Sequence, residues 1–415
     1  MRKTSPLLWQ RPNWPNLTAN APAVFSALLA ARKRQGEVIG RAGAIGLNQA
    51  AEITGAAFVR EAMSTAAIEG EALNPASVQS SVLRKLGIES PLSAPFSRDV
   101  DGLIEVMHDA SFGFERPLDE DRLCRWQSAL FPGGTSGIKR IAVGRYRDHL
   151  DPMQIVSGYP GREIVHYTAP RSADVKREMD AFLAWFARTA PAAPQAPPID
   201  GIARAAIAHL WFETIHPFED GNGRLGRAII DLAMAEDARS PTRLYSLSAE
   251  IMKNRRGYYD ALSAAQHGDT DVSAWVQWFA EALACACVSA AALMDSAIER
   301  SRFWANHADL ALNIRQRKVV QRLLDDGDGG FIGPLNAEKY IKLTGASKPT
   351  ASRDLADLVQ LGLLSTRGQG KALRYFVRVP GWTHAAPTTQ ESSAAPPEPA
   401  IFLPTKTARP PPHSW

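Results

Sequence analysis

The sequence predicts a mainly α protein, a helical bundle interrupted by one β-hairpin and followed by a small C-terminal domain of three helices and a second hairpin. Three observations carry this expectation. Apolar residues recur at spacings of three and four through most of the first 300 residues. The pattern changes only between Arg145 and Pro170. After about Leu310, short helical patterns give way to a final pair of strand-like runs. A chain of 415 residues allows two to four units at roughly 100–200 residues each, and 45% hydrophobic with 22% charged residues is globular composition.

Taken in order, helices are expected over 24–36, 49–68, 99–112, 119–130, 174–188, 201–215, 223–236, 255–266 and 272–299. Asp119 and Asp174 stand where N-caps belong. Ile155–Val156, then a Gly158–Tyr–Pro–Gly161 turn, then Ile164 to Tyr167 read as a short hairpin. Prolines 191, 194, 197 and 198 mark a loop. The tail from Gly381 to Trp415 holds eight prolines and too little apolar surface to order itself, so it is expected to be disordered.

The run from Ile215 to Arg227 is the most informative. Gly221–Asn222–Gly223 can take positive φ cheaply, letting backbone N–H groups turn inward around an anion. A helix begins directly after it and adds unpaired N–H donors. Arg224 and Arg227 lie three apart on one helix face, two planar forks for phosphate oxygens. Asp220 offers a hard oxygen ligand suited to Mg²⁺ shared with phosphates. His216 can take a proton near neutral pH. Phe218 is expected to be buried beneath the loop. A plain glycine turn between helices explains the glycines, but not the histidine, the acid and the two arginines at these offsets.

Position for position, this run resembles the signature of the Fic family, HxFxDGNGRxxR. The resemblance implies a compact helical Fic bundle with a β-hairpin flap, and transfer of AMP from ATP to a hydroxyl of a target protein with release of pyrophosphate. It implies that His216 is the general base and that Asp220 holds Mg²⁺. The ATP phosphates would lie on Gly221, Asn222, Gly223, Arg224, Leu225, Gly226 and Arg227, with Arg224 at the β-phosphate and Arg227 at the γ-phosphate. Gly144–Arg145–Tyr146–Arg147 and the hairpin resemble the family's flap, so Ile164, Val165, His166 and Tyr167 would hold an extended target segment by main-chain hydrogen bonds. Tyr258–Tyr259, Leu262 and Gly268–Asp269 resemble the segment bordering the adenine, with Tyr258 and Gln266 as contacts; packing between helices explains that pair equally well.

A second signal lies upstream. Gly70 suits the C-cap of a helix. Glu69 then falls in the last turn, where the helix dipole disfavours an acid, so its partner should lie elsewhere and an arginine is the natural one. Thr65 to Gly70 resembles the family's inhibitory helix, [S/T]xxxE[G/N], in which the glutamate pairs with the second motif arginine, here Arg227, and blocks the γ-phosphate position. Trp9, Trp14–Pro15 and Val38–Ile39–Gly40 resemble the N-terminal region of one Fic subgroup. The implied organisation is an N-terminal helical region over 1–110, a Fic catalytic domain over 111–300, a third domain over 310–380 and the tail.

That third domain reads as helices over 315–324, 336–343 and 350–361, then strands over 363–366 and 373–377. Leu355, Leu358 and Leu361 form the buried stripe of its last helix, and Gly362 stops it. The order resembles a winged helix-turn-helix. By that resemblance Lys348, Thr350, Ser352 and Arg353 would enter a DNA major groove while Arg367, Lys371 and Arg374 meet phosphates. A protein-docking or dimerising role fits the same fold, and Asp354 and Asp357 dilute the helix's positive charge.

Forty-seven basic against 43 acidic residues give a formal charge of +4, so nucleic acid would have to meet a local patch. Three cysteines build no disulfide framework and point to a reducing, cytoplasmic location. The most apolar stretch, 282–294, is too short to span a bilayer, and no membrane partner is expected. The reading is an ATP- and Mg²⁺-dependent protein adenylyltransferase that acts on a target protein, with self-modification and homodimer formation also open to it. Two rivals stay open: an enzyme of the same family that removes AMP, and a DNA-binding regulator whose Fic core senses nucleotide.

Overall fold

The computed structural model describes residues 6–43, 47–88, 97–157, 164–194, 199–241, 244–327 and 334–382. The Gly158–Gly161 turn, Pro197 and Pro198, and the tail from residue 383 onward lie outside the described residues. Two compact units are present, Met1–Ala291 and Ala292–Pro397, apart from the last residues of the tail.

In the first unit the helices are α1 (Ala21–Gly43), α2 (Leu47–Ile68), α3 (Pro75–Lys85), α4 (Arg98–Phe112) and α5 (Glu120–Leu130). Two short hairpins follow, β1 (Thr135–Ser136) with β2 (Lys139–Arg140), and β3 (Gln154–Ser157) with β4 (Ile164–Thr168). Then come α6 (Ser172–Arg188), α7 (Gly201–Ile215), α8 (Asn222–Ala238), α9 (Leu247–Lys253), α10 (Arg255–Gln266) and α11 (Ser273–Asn306), whose residues from Ala292 onward belong to the second unit. All nine predicted helices exist; α3, α9 and the β1–β2 hairpin were not predicted. α3 is polar along most of its length and α9 spans only seven residues, too few for a periodic signal. Asn74 and Ser246 cap them by accepting backbone N–H bonds.

Helix α7 is the centre of the unit. Every one of its 15 residues is buried, as a helix enclosed on all sides must be. It packs against α8 behind it and α6 beside it, while α4 covers α8. Asp119 does cap α5, accepting from the Arg122 N–H. Asp174 does not cap α6: that helix starts at Ser172 after Arg171, and Asp174 sits in its first turn paired with Arg171 and Arg177. Hairpin β3–β4 pairs Gln154 with Thr168 and Ser157 with Ile164, with a register shift between Ile155 and Val156. The N-terminal segment braces its base, since Trp9 Nε1 donates to the Thr168 carbonyl at 2.9 Å. Arg11 Nε likewise donates to the Gly268 carbonyl at 2.8 Å.

Helix α11 extends past the predicted stop at residue 299. By length and composition it could cross a membrane, with a mean hydropathy of 1.5 over its most apolar 18 residues. Its apolar side chains Trp275, Val276, Phe279, Ala280 and Leu283 are buried within the first unit, which is what a core helix requires.

The second unit holds α12 (Ile314–Asp326), α13 (Ala337–Thr344), α14 (Lys348–Gln360), β5 (Leu364–Arg367) and β6 (Arg374–Val377) in the order read from the sequence. Leu335 bridges to Tyr375 on β6. Val319, Val320, Tyr340, Leu355, Leu358 and Leu364 are its core. Leu361 is not part of the stripe: it is the C-cap of α14 and 39% exposed, and Ala351 takes its place. Asp354 does not dilute the surface charge, because it is buried and bonded to Arg315, Asn313 and Tyr340.

Candidate active site

The turn between α7 and α8 forms the floor of the site. His216 ends α7 in the left-handed region, φ 52° and ψ 61°, a conformation that costs a non-glycine residue on the order of 1–3 kcal/mol unless its surroundings enforce it. Arg147 enforces it. Its guanidinium is buried with no carboxylate bonded to it and donates to the carbonyls of His216 (2.8 Å), Pro170 (2.6 Å) and Ile215 (3.2 Å), and to Ser172 Oγ at 2.9 Å. Phe218 is wholly buried, as expected. Asn222 closes the loop upon it, accepting from the Phe218 N–H at 2.9 Å and donating to the Phe218 carbonyl at 2.8 Å.

The loop corrects several expectations. Of Gly221, Asn222 and Gly223, only Gly221 takes positive φ, at 88°; a side chain there would strike the Phe131 ring. Gly223 is helical, and its bareness serves another end, because a β-carbon would collide with Glu69 Oε1. The Asn222 side chain clamps the loop and is not offered to a phosphate. Leu225 is wholly buried core, and its N–H bonds the Gly221 carbonyl. Gly226 faces α7, where a β-carbon would meet Glu213 Oε1 at 2.5 Å and His209 Nδ1 at 2.9 Å. Neither Leu225 nor Gly226 presents a side chain to phosphate.

Both motif arginines are engaged by the segment that follows α2. Arg227 is 3% exposed; its Nη2 donates to Glu69 Oε1 at 2.7 Å and to the Thr65 carbonyl at 3.1 Å, and its Nε donates to Thr65 Oγ1 at 2.6 Å. Gly70, with φ 83°, lets the chain leave α2 in the direction this pairing needs. The Glu69 carboxylate therefore stands at the N-terminus of α8, in the position where a helix holds an anion. Burial alone would push its pKa up, but the charge and hydrogen bond of Arg227, with Arg224 and Arg255 nearby, hold it below the usual carboxylate range. Arg224 pairs with Glu71 at 2.9 Å and lies over the Phe131 ring at 4.9 Å. The Glu71 pairing was not anticipated, although its signal was visible: an acid two residues beyond Glu69 at a glycine bend.

A cavity of about 300 Å³ opens beside this anion site. Its walls include Glu69, Asp220, Gly223, His216, Glu213 and the face of α10 carrying Tyr258, Tyr259 and Gln266. Tyr258 and Gln266 are both buried; Tyr258 bonds His209 Nε2 at 2.9 Å, and Gln266 donates to the Glu213 carbonyl at 3.3 Å. Burial and the nearby Arg147 cation push His216 down to about 4, so its imidazole is neutral near pH 7. Burial pushes Glu213, one turn earlier on α7, up to about 8.

The flap divides its residues. Val165 and His166 are exposed on β4, while Tyr167 is buried with its hydroxyl donating to the Thr214 carbonyl at 2.7 Å. Tyr167 thus anchors the flap to α7 and cannot offer its side chain to a target. The Ile164 side chain lies outside the described residues. The β3–β4 sheet has two strands, leaving an edge on each among the described residues.

Among the described residues no group of three or more His, Cys, Asp and Glu could hold a metal ion by itself. Asp220 accepts from the Gly221 N–H at 2.6 Å and from the Ser136 hydroxyl, and lines the cavity with one carboxylate. One carboxylate fits a Mg²⁺ that shares phosphate oxygens, since that ion commonly takes only one or two from protein. On α14 of the second unit, Lys348, Ser352 and Arg353 are exposed, whereas Thr350 is half-buried with its hydroxyl bonded to Ser347. Arg367 on β5 is exposed and lies over the Phe376 ring; the Lys371 side chain lies outside the described residues.

Residues 117–234 match the model of the Fic/DOC family, and residues 7–88 match a domain of unknown function, DUF4172. Protein adenylyltransferase fic-1 of Caenorhabditis elegans is 41% identical over 71 residues, 17% of this chain and 13% of that protein. Protein adenylyltransferase Fic of Nematostella vectensis is 29% identical over 103 residues, 25% of this chain and 22% of that protein. The chain spans less than a quarter of the length of these curated relatives. A Fic family protein from Desulfovibrio desulfuricans superposes with a TM-score of 0.47 at 19% identity, covering 88% of this chain and 98% of that one.

Proposed function

We propose that this chain, whose residues 117–234 are a Fic/DOC family domain, is an autoinhibited protein adenylyltransferase that moves AMP from ATP to a target-protein hydroxyl. The observation that carries the reading is the meeting of two features in one cavity: a neutral, half-buried histidine and a helix N-terminus with an arginine fork for phosphates. His216 takes the hydroxyl proton, the hydroxyl oxygen bonds the α-phosphorus, and the bond to the bridging oxygen breaks to release pyrophosphate. The α8 N-terminus, Arg224 and Arg227 hold the phosphates, and Tyr258, Tyr259 and Gln266 border the base. Asp220 is the residue to hold Mg²⁺, which when bound neutralises phosphate charge. An extended target segment adds to the free edge of the flap. Glu69 is the brake: while it occupies Arg227 and the helix end, the γ-phosphate loses its fork.

Incubation with labelled ATP tests this. Glu69→Gly should label a target or the chain itself, and adding His216→Ala should abolish labelling, general-base contributions being typically ~10²–10⁴-fold. Equal labelling with and without His216 would end the reading. A second reading, removal of AMP from a modified protein, is favoured by the Glu69 carboxylate lining the cavity, where it could hold a water; loss of that activity in Glu69→Gly with no gain in transfer would select it. For the second unit we propose a winged-helix role in docking DNA, supported by exposed Lys348, Arg353 and Arg367. Binding of mixed-sequence duplex by the full chain should weaken steeply as salt rises, and no binding at low salt would discard it.

A further inference from the structure

We propose that Glu213 is a positioning residue for His216, accepting the hydrogen bond from Nδ1–H that leaves Nε2 bare to take the target's proton. The inference rests on the transferase reading and deepens it.

The geometry is specific. Glu213 lies three residues before His216, hence on the same face of α7. Its Oε2 is 3.7 Å from His216 Nδ1. Neither Nδ1 nor Glu213 Oε1, both buried, has a hydrogen-bond partner of good geometry, although the Glu213 main-chain carbonyl also lies near enough to Nδ1 to favour a proton there. Two buried polar atoms side by side without good partners leave their desolvation uncompensated, which is costly. At 3.7 Å the two groups are not yet hydrogen-bonded, but catalytic contacts often tighten only once substrate is bound. A shift of under 1 Å closes the gap, and turning the carboxyl breaks no bond because Oε1 has none. The position is otherwise fixed. Gln266 holds the Glu213 carbonyl, and the bare Gly226 on α8 admits the carboxyl.

The chemical need is equally definite. A neutral imidazole carries one proton, and a base working through Nε2 must carry it on Nδ1. In a buried site that N–H needs an acceptor, and either form of the Glu213 carboxyl supplies one. When Nε2 gains the target's proton, the imidazolium meets the Arg147 cation, which opposes it. Glu213 is the nearest acid, and an imidazolium beside it favours its ionised form, which offsets that charge. The other charged or titratable groups around it are His209 on α7, Glu69 after α2, Arg227 on α8, Tyr258 on α10 and Tyr167 on β4.

The experiment uses the full chain in the Glu69→Gly background. Glu213→Leu should lower kcat for AMP transfer by about 10²-fold with KM for ATP within twofold, in line with the cost of misorienting a base. Glu213→Gln keeps an acceptor oxygen but cannot ionise as the imidazolium forms, so it should lose about tenfold and move the acid limb of the kcat profile. Nitrogen-15 spectra, with His216 assigned by its loss in His216→Ala, should show the Nδ1–H tautomer in the parent and in Glu213→Gln, and a mixture in Glu213→Leu. Melting curves guard against unfolding; if Glu213→Leu does not fold, Glu213→Gln and its spectrum decide. Unchanged kcat and tautomer in the folded variants, while His216→Ala is inactive, would overturn the proposal and leave the transferase reading standing. Activity that survives His216→Ala would instead overturn the transferase reading itself.

Discussion

Replacing Glu69 by glycine removes the carboxylate that holds Arg227 without disturbing the other two bonds that side chain donates, both of which go to Thr65. Residue 69 lies just beyond the end of α2, so glycine there incurs no helix-interior penalty. A hydrogen bond between charged partners is worth about 1.5–3 kcal/mol. Because the Glu69 side chain keeps 30% exposure, the lower half of that range applies. Vacating the anion position at the α8 N-terminus adds about 0.3–1 kcal/mol in favour of a phosphate. At 1.4 kcal/mol per factor of ten, the sum corresponds to roughly 20–200-fold more molecules with the arginine open to the nucleotide. Self-labelling or target labelling with labelled ATP should rise by that order, and the double variant with Arg227→Ala should behave like Arg227→Ala, because there is no fork left to release. Glu71→Gln should give a smaller gain, under about fivefold, since its pair with Arg224 is half exposed. The Glu69 pKa is depressed, so its pairing is complete above the ordinary carboxylate range and is lost only as pH falls through the lowered value. Mild acid should therefore leave the brake closed. If Glu69→Gly shows flat labelling and a lower melting temperature, Glu69 is a structural acid and the reasoning fails.

Three further outcomes follow from the geometry. Arg147→Met leaves the carbonyls of His216, Ile215 and Pro170 without their donor, so melting should drop by several degrees and transfer should fall about 10²-fold as His216 loses its enforced backbone; a variant that keeps both activity and melting temperature would refute the clamp. Gly226→Ala drives a methyl into Glu213 and His209, and overpacking of about 1–3 kcal/mol should outweigh the gain in helix propensity of up to about 1 kcal/mol, an outcome read by thermal unfolding and contradicted by an unchanged or higher midpoint. Glu213 has a folded pKa raised to about 8, so its contribution to stability is fully present below the ordinary carboxylate range and lost as pH rises through about 8. The melting-temperature difference between wild type and Glu213→Gln should move against wild type over that window, and a pH-independent difference would contradict the raised value.

Much of this protein was written locally. The helices with a periodic apolar face were legible because the period is a property of the chain, and so was the hairpin, where the pattern breaks. The phosphate loop was legible because its residue types share one short segment. Gly70, Glu69 and Gly362 declared themselves through cap chemistry that acts within a few residues. What the sequence could not assign was which of several nearby groups meet. Gly223 and Gly226 read alike as loop glycines, yet one admits the Glu69 carboxylate and the other admits Glu213, a difference set by which helix crosses α8 at each point. Leu225 and the Asn222 side chain read as phosphate contacts and are used for packing and for closing the loop. Arg147 finds its carbonyl partners 23, 68 and 69 residues away, and Glu71 finds Arg224 across 153. The sequence by itself determined the helical class, the residue types of the loop and the pairing of Glu69 with an arginine. Only the tertiary structure decided the partners, because a buried polar group is satisfied by whatever the packing of distant helices brings within about 3 Å.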